Sequence, residues 1–350
     1  MITSLKIRQF RNHEKLDLDF NHNLVIITGQ NAIGKTNILE SIYVSSITKS
    51  FRVSDVKLIS HGKDFYTIDK DQDGKQVHIR LTTNNNSRQK QIRVNKSPVT
   101  ISSFIGMFPV TLFEPNDLYL FAEGPSKRRN FLDKIISQTD AQYLQSLRKY
   151  KRIVAQRNSA LKNSKKNYNK NIKQQIFVYN IQLIEPAEYI TKKRDEFVKD
   201  INGIVNKYYQ DISGEDKNIQ IDFSASAKNK EELLKKLENN EALDMITTHT
   251  SVGPHREDFT VTLNKENILD TASRGEIRSL ILALKLAELD YIENALSRRP
   301  TLLLDDVLSE LDTYRQKYLL KQLGRQQTFV TTTHLPSKID YEFQHIELPL

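Results

Sequence analysis

The sequence contains no cysteine, and none of its apolar runs approaches the roughly 18 residues that a membrane-spanning helix needs. Without cysteine, neither a disulfide nor a Cys-ligated zinc or iron–sulfur centre can form. The first residues also lack the apolar segment of a secretory signal. We therefore expect a cytoplasmic protein without a membrane partner. The hydrophobic content of 38% and the charged content of 27% are typical of a folded chain.

Acidic residues are missing from one long segment, between Asp140 and Glu185. This basic segment carries ten positive residues, whereas the net formal charge of the whole chain is +9. They are Arg148, Lys149, Lys151, Arg152, Arg157, Lys162, Lys165, Lys166, Lys170 and Lys173. A localised positive field attracts polyanions, so the segment predicts contact with nucleic acid. A solvated helix face is the alternative interpretation.

The hydrophobic pattern predicts an α/β domain that is divided in the sequence. Alternation of apolar and polar residues predicts strands at Leu5–Phe10, Leu16–Phe20 and Phe259–Leu263, and in several pieces from Phe65 to Thr100, with turns at Asp71–Gly74 and Asn84–Asn86. Continuous apolar runs predict buried strands at Leu24–Thr28, Thr301–Asp306 and Phe329–His334. Helical spacing follows at Asn37–Tyr43 and Gly275–Leu296. We predict one α/β domain from residues 1–119 and 246–350, with an all-helical insert at 120–245.

A phosphate-binding loop follows the first buried strand. Its residues match G-x-x-x-x-G-K-[ST]: Gly29, Gln30, Asn31, Ala32, Ile33, Gly34, Lys35 and Thr36. Backbone N–H groups in such a loop surround a β-phosphate, and the following helix adds its partial positive charge. Lys35 is expected to reach the β- and γ-phosphates, and the Thr36 hydroxyl to ligate Mg²⁺. The loop therefore predicts ATP with Mg²⁺.

Two carboxylates lie at the end of the second buried strand. We expect Asp305 to hold Mg²⁺, usually through water, and Asp306 to polarise the attacking water. Asp305 lies 305 − 35 = 270 residues after Lys35, far more than one or two βα units. A segment the size of a domain is therefore inserted between the two halves of the site.

A capping box at Ser273–Glu276 begins the second long helix. One interpretation is helix stabilisation alone. The other is that the exposed N–H groups of this helix end bind a γ-phosphate. Local sequence leaves both interpretations open.

The order of these motifs resembles that of an SMC-type ABC ATPase head. In chain order they are Phe10-Arg11-Asn12, the phosphate loop with Asn37, Ser273-Arg274-Gly275-Glu276, Leu304-Asp305-Asp306 with Ser309-Glu310-Leu311-Asp312, and His334. The chain is too short for a long coiled coil and is instead similar, nearly end to end, to the RecF family of bacterial recombination-mediator ATPases. Further similar segments are Phe113–Leu118, Gly124–Asp133, Gly253–Asp258 and Leu282–Glu288.

The resemblance implies a role for each motif. Arg11 would lie near the phosphates, and Ser273 and Gly275 would contact the γ-phosphate bound by a second protomer. Asp305 and Asp306 would handle metal and water, and His334 would sense the γ-phosphate. RecF-like proteins form an ATP-bound homodimer on DNA. The DNA is single-stranded or double-stranded, and the dimer binds at gaps or junctions. These proteins hydrolyse ATP slowly with DNA stimulation, and help RecO and RecR to load recombinase in recombinational repair and at replication forks.

One loop residue departs from the family pattern, which has Asn-Gly where this chain has Asn31-Ala32. A positive φ at Ala32 would strain the backbone by about 1 kcal/mol or more. Nucleotide binding is expected to survive, because Gly29, Gly34 and Lys35 remain, but affinity is expected to be weaker.

Other signals carry less weight. Asp69–Gly74 begins like an EF-hand loop, but Arg80 stands where a bidentate Glu is needed, so a hairpin turn is predicted. Lys127, Arg128 and Arg129 follow a Gly-Pro turn, and contact with DNA phosphate is favoured over simple solvation. The alternative functions are a P-loop small-molecule kinase and a non-hydrolysing, ATP-gated DNA scaffold.

Overall fold

The structure, a computed structural model, describes residues 1–84, 87–164, 170–336 and 339–349, without the side chain of Lys170. The chain forms two compact units. The first consists of Met1–Leu118 and Arg278–Leu350, and the second of Tyr119–Ile277. The second unit thus extends past residue 245, the predicted end of the insert.

Regular elements agree closely with the predicted strands and helices. The strands are β1 (Ile2–Phe10), β2 (His13–Asp19), β3 (Leu24–Thr28), β4 (Phe65–Gln72), β5 (Lys75–Asn84), β6 (Ser87–Val94), β7 (Ser97–Pro98), β8 (Val110–Phe113), β9 (Ile219–Ser224), β10 (Asp258–Leu263), β11 (Glu266–Asn267), β12 (Thr301–Asp305), β13 (Thr328–Thr332) and β14 (Phe343–Glu347). The helices are α1 (Lys35–Ile47), α2 (Ile101–Phe104), α3 (Pro125–Thr139), α4 (Ala141–Ser164), α5 (Lys170–Ser213), α6 (Lys230–Asn239), α7 (Glu241–Thr247), α8 (Ile268–Thr271), α9 (Arg274–Leu296) and α10 (Thr313–Lys321).

A five-stranded parallel sheet in the first unit positions the predicted nucleotide site. Its strand order is β14-β3-β13-β12-β8. Every residue of β3, β12 and β13 is buried, as expected for apolar strands covered on both faces. In this register Asp305 lies opposite Thr331, and Thr331 lies opposite Ile27. The carboxyl ends of strands from both ends of the sequence therefore meet at one edge.

A six-stranded antiparallel sheet, in the order β2-β1-β4-β5-β6-β7, shares a hydrophobic core with the parallel sheet and α1. Phe10, Ile38 and Phe329 belong to this core. The predicted turn at Asp71–Gly74 is confirmed as a two-residue hairpin with Asp73 and Gly74 at positive φ. Of the predicted turn at Asn84–Asn86, residues 85 and 86 lie outside the described residues.

Lys70, on the core side of β4, is a buried cation. It is 1% exposed, its ammonium donates a hydrogen bond to Ser46 Oγ at 2.9 Å, and it lies 4.8 Å from the ring centre of Phe108. Burial, with a smaller contribution from Arg298, lowers the pKa of Lys70 to about 7. The charged form is therefore disfavoured in the folded state.

We expect Lys70→Met to raise the unfolding temperature at pH 7 and to raise it much less at pH 9.5. The unfolded chain binds a proton at Lys70 up to pH 10.5, whereas the folded chain releases it near pH 7. Wild-type stability consequently rises with pH between these values, and methionine removes that dependence. Thermal melts at both pH values test this, and an equal shift at both would contradict it.

The sequence predicted an all-helical insert, and this prediction is wrong. The second unit also contains a three-stranded antiparallel sheet of order β11-β10-β9. This pairing joins β9 to β10 and so brings residues beyond 245 into the unit. Long helices α4 and α5 pack against each other, and α5 packs on β9. Over the described residues, no helix combines the length and apolarity that crossing a bilayer requires.

Candidate functional site: a nucleotide cavity

The loop between β3 and α1 has the backbone that a phosphate loop requires. Gly34, with φ of +112°, precedes the first residue of α1. A Cβ at this position would lie 2.6 Å from His13 Nε2 and 2.8 Å from the side-chain amide of Asn12, so these side chains would have to move, and any residue other than glycine would also be strained at this φ. Gly29, with φ of +152°, also adopts a backbone that favours glycine. The loop conformation therefore depends on both glycines.

The side chain of Lys35 is buried and folded along the loop. Its Nζ donates hydrogen bonds to the carbonyl oxygens of Gly29 at 2.6 Å and Gln30 at 2.9 Å. These two neutral acceptors hold the ammonium in place without neutralising its charge. The charge remains available for an anion inside the loop.

Asn12 and His13 connect β1 and β2 to the loop. Asn12 Nδ2 donates to the carbonyl of Ile33 at 2.9 Å, and Asn37 Nδ2 donates to Asn12 Oδ1 at 2.7 Å. His13 Nε2 lies 3.2 Å from the carbonyl oxygen of Gly34, and burial lowers its pKa. Sequence patterns did not single out His13, which lies at the start of an ordinary amphipathic strand.

The predicted metal ligands Thr36 and Asp305 are in direct contact. Thr36 Oγ1 donates to Asp305 Oδ1 at 2.8 Å, and Thr331 Oγ1 donates to the same oxygen at 2.8 Å. The parallel register brings Asp305 next to α1. A hydroxyl beside a carboxylate suits Mg²⁺, which is usually held by one or two such groups together with phosphate oxygens and water.

Asp306 follows in the left-handed conformation, with φ of +52°. Its Oδ1 is buried and has no hydrogen-bond partner among the described residues. Burial, reinforced by the carboxylate of Asp305, raises the pKa of Asp306, while Lys35 acts in the opposite direction. An unpartnered oxygen at this position fits a ligand or water that the site is built to receive.

A cavity of about 690 Å³ lies over these residues. Its wall includes Asn31, Ala32, Lys35, Thr36 and Asp306. It is also lined by four basic or titratable side chains from the segments after β1 and α1, namely Arg11, Arg52, Lys57 and His61. Arg11 is fixed by an ion pair from its Nε to the fully buried carboxylate of Glu40, 2.8 Å away. The cavity is large enough for a nucleotide and carries the positive charge that a triphosphate needs.

The structure shows that Ala32 has a φ of +68°, which alanine adopts at a cost. We expect Ala32→Gly to stabilise the protein by about 1 kcal/mol, because glycine has no such penalty, and to change ATP affinity little, because the strained φ is already present without nucleotide. Ala272→Gly is the matched control, since Ala272 has an ordinary φ of −75° and glycine should destabilise there. Denaturant unfolding and nucleotide titration measure both effects. Loss of stability in Ala32→Gly would contradict the strain argument.

Seven predicted site residues are not part of the wall of this cavity: Gly29, Gln30, Ile33, Asp305, Ser273, Gly275 and His334. The first three belong to the phosphate loop itself, and Asp305 contacts Thr36 of the cavity wall. His334 is exposed, and its carbonyl oxygen accepts a hydrogen bond from Thr332 Oγ1 at 3.0 Å. Ser273 and Gly275 belong to the second unit. There the capping box forms as predicted: the N–H of Glu276 donates to Ser273 Oγ at 3.2 Å, and the N–H of Ser273 donates to Glu276 Oε2 at 2.7 Å.

The basic residues of the second unit are only partly available at the surface. Arg157 is completely buried and pairs with Asp244 at 2.7 Å. Arg128 is also buried, in a two-point ion pair with Asp258, so its predicted contact with DNA phosphate is wrong for the folded chain. The exposed members of the basic segment are Arg148, Lys149, Lys151, Arg152, Lys162 and Lys173. Lys165, Lys166 and the side chain of Lys170 lie outside the described residues.

The parallel sheet, the phosphate loop after β3 and the carboxylate after β12 together define the head of an SMC-type P-loop ATPase. The RecF/RecN/SMC N-terminal domain family matches residues 1–339. The chain is 37% identical to the DNA replication and repair protein RecF of Agathobacter rectalis, with 98% of this chain and 95% of the relative covered. It is also 37% identical to the protein of that name from Clostridium novyi, with 99% of this chain and 97% of the relative covered. The chain belongs to the RecF family.

Solved structures agree with this assignment. The recombination mediator protein RecF-ATPrS in the RecFOR pathway has a TM-score of 0.91 at 31% identity, covering 99% of this chain and 96% of the other. The Smc head domain of Pyrococcus furiosus has a TM-score of 0.52 at 16% identity, covering 95% of this chain and 89% of the other. This second likeness shows the fold alone.

Proposed function

We propose that the protein is an ATP-dependent DNA-binding protein of recombinational repair and replication-fork maintenance, and that it hydrolyses ATP slowly with stimulation by DNA. The observation that carries the proposal is the contact between Thr36 and Asp305 beside the Lys35 loop. It assembles a MgATP site from the two ends of the sequence. The relatives named RecF, including one solved as RecF-ATP, support the nucleotide and the biological context.

The residues of the cavity have distinct roles in this proposal. Backbone N–H groups of residues 29–36 and the ammonium of Lys35 bind the β- and γ-phosphates. Thr36 and Asp305 hold Mg²⁺, which when bound neutralises charge that develops on the phosphates. Asp306 accepts a proton from the attacking water, a role that its raised pKa favours. Arg11 and Arg52 stabilise the nucleotide by charge.

A second copy of the chain completes the site. Ser273, with Gly275 in the first turn of α9, would contact the γ-phosphate bound by the partner, and His334 would sense the same phosphate. ATP would thus lie between two subunits, and hydrolysis would separate them. The dimer would bind DNA at gaps or junctions, and RecO and RecR would load recombinase there.

We expect Ser273→Ala to bind ATP normally yet remain monomeric, whereas the wild type dimerises with ATP. Light scattering with and without ATP measures the mass, and titration of a fluorescent ATP analogue measures binding. Asn229→Ala is the matched control, because Asn229 caps α6 in the same unit by accepting from Glu232 N–H. The loss of a cap costs about 1 kcal/mol in either variant. Normal dimerisation of Ser273→Ala would contradict the composite site.

A further inference from the structure

A second polar cavity, of about 190 Å³, lies wholly within the second unit. It is surrounded by the first turns of α3, the first half of α4, Arg194 of α5 and the loop residues Pro254 and His255. Its polar lining consists of Ser126, Arg129, Asn130, Asp133, Lys151 and Arg194, with Tyr150 and His255 beside them. We call it the Arg129 pocket. The nucleotide site uses none of these residues.

The segment 253–257 forms a rigid wall of this pocket. Gly253 has a φ of +125°, and a Cβ there would lie 2.3 Å from the hydroxyl of Tyr150. His255 Nε2 lies 2.8 Å from the carbonyl oxygen of Thr250, which can only accept, so Nε2 carries the proton. Nδ1 then accepts from the Tyr150 hydroxyl at 2.6 Å. Burial and the nearby cations lower the pKa of His255, which keeps this neutral arrangement in place.

The carboxylates near the pocket already have partners. Asp133 Oδ1 accepts from Arg194 at 2.8 Å and from the Tyr143 hydroxyl at 2.6 Å. Glu257 is fully buried and pairs with Arg194 at 3.0 Å. Arg194 is therefore neutralised from two sides. These interactions support the pocket but contribute little net charge to it.

Two cations remain to act on a ligand. Arg129 donates one hydrogen bond to the carbonyl oxygen of Glu257 at 2.9 Å, and it has no ion pair among the described residues. Burial and the charge of Arg194 lower the pKa of Arg129, while the carboxylates of Asp258 and Asp133 act in the opposite direction. The side chain of Lys151 is 62% exposed, and its Nζ forms a long ion pair with Asp133 Oδ2 at 3.4 Å, an oxygen that it can leave for a phosphate. The pocket therefore has an excess of positive charge and of hydrogen-bond donors.

We propose that the Arg129 pocket binds one backbone phosphate of DNA, an inference that rests on the proposed DNA-binding function. Guanidinium and ammonium groups together with hydroxyl and amide donors are the groups that contact phosphate oxygens. The volume suits a phosphate and is too small for a stacked base. Arg148 and Arg152, which are also exposed, lie beside Lys151 on α4. Together these residues form a basic surface along which a polyanionic backbone can run. The phosphate thus belongs to a polymer in this proposal.

The full-length double variant Arg129→Gln/Lys151→Gln tests the pocket by fluorescence anisotropy with duplex DNA, with ATP present, at several salt concentrations. Its affinity should fall about tenfold, and the slope of log affinity against log salt should decrease in magnitude by roughly one, because one phosphate contact is lost. Arg129→Lys should recover most of the affinity. Lys192→Gln is the matched control, because Lys192 is an exposed lysine of α5 in the same unit. It should leave the slope unchanged.

The outcomes separate this proposal from the proposed function. If the wild type binds no DNA even at low salt, the DNA-binding function fails. If the wild type binds and the double variant binds equally, with the same slope and unfolding temperature, the pocket assignment fails. Inorganic phosphate tests whether the pocket is instead a site for a free anion. Millimolar phosphate would then raise the unfolding temperature of the wild type but not of the double variant, and both proteins would bind DNA with equal affinity. That result would show that the ligand is a free anion and not DNA.

Discussion

Lys35→Met is expected to weaken ATP binding at least about 100-fold. The ammonium would contribute charge-assisted hydrogen bonds to two phosphates, each about 1.5–3 kcal/mol. Methionine fills the same buried channel but supplies neither charge nor donors. It also leaves the carbonyls of Gly29 and Gln30, now bonded to Lys35, without that partner. Calorimetric titration with ATP and Mg²⁺ measures the loss.

A control variant shows that the effect depends on the position of the charge. Lys63→Met removes an exposed lysine that does not line the cavity and should leave ATP affinity unchanged. Thermal melting without nucleotide should show that both variants are folded. An affinity of Lys35→Met within threefold of the wild type would mean that ATP does not bind in this loop.

Asp306→Asn is expected to lower the hydrolysis rate by about 10²–10⁴-fold while ATP binding and ATP-dependent dimerisation persist. Asparagine preserves the shape of the side chain but cannot accept a proton. Because the pKa of Asp306 is raised, the wild-type rate should fall on acidification at a higher pH than an ordinary aspartate would give. The rate of the variant should not show this fall at acidic pH.

Steady-state phosphate release between pH 5 and 8, with and without DNA, measures both effects. Asp64→Asn, a change of an exposed carboxylate outside these motifs that does not line the cavity, is the control. A rate for Asp306→Asn within tenfold of the wild type would remove Asp306 from the chemistry. No turnover in the wild type would instead favour the ATP-gated scaffold.

The sequence predicted those parts of the site that depend on local pattern. Leu24–Thr28 was predicted as a buried strand with the observed bounds, because an uninterrupted apolar run between turn residues allows few alternatives. Thr36 and Asp305 were each predicted as Mg²⁺ ligands, and in the structure their side chains are in contact, because the carboxyl ends of parallel strands meet at one edge. In both cases the residues were recognised from local pattern, although the contact between Thr36 and Asp305 joins residues 269 positions apart in the sequence.

Other features depend on contacts that no local pattern records. Arg52, Lys57 and His61 line the cavity from an irregular segment without periodicity. The insert was predicted as all-helical because β9 is short, and its partner β10 lies far along the sequence. Arg128 was predicted to contact DNA, yet tertiary packing placed it against Asp258. The cavity lining, the β9–β10 pairing and the position of Arg128 all depend on contacts between residues that are distant in the sequence.

The central claim is that one subunit supplies Lys35 and another supplies Ser273 to each ATP. Mixing Lys35→Met with Ser273→Ala tests it most directly, since a mixed dimer contains one complete site. Each variant alone should be inactive, because neither can form the nucleotide-bound dimer. An equal mixture should recover up to roughly half of the wild-type ATPase rate, because only mixed dimers form and one of the two sites in each is complete. A mixture no more active than the sum of its two components would contradict the claim.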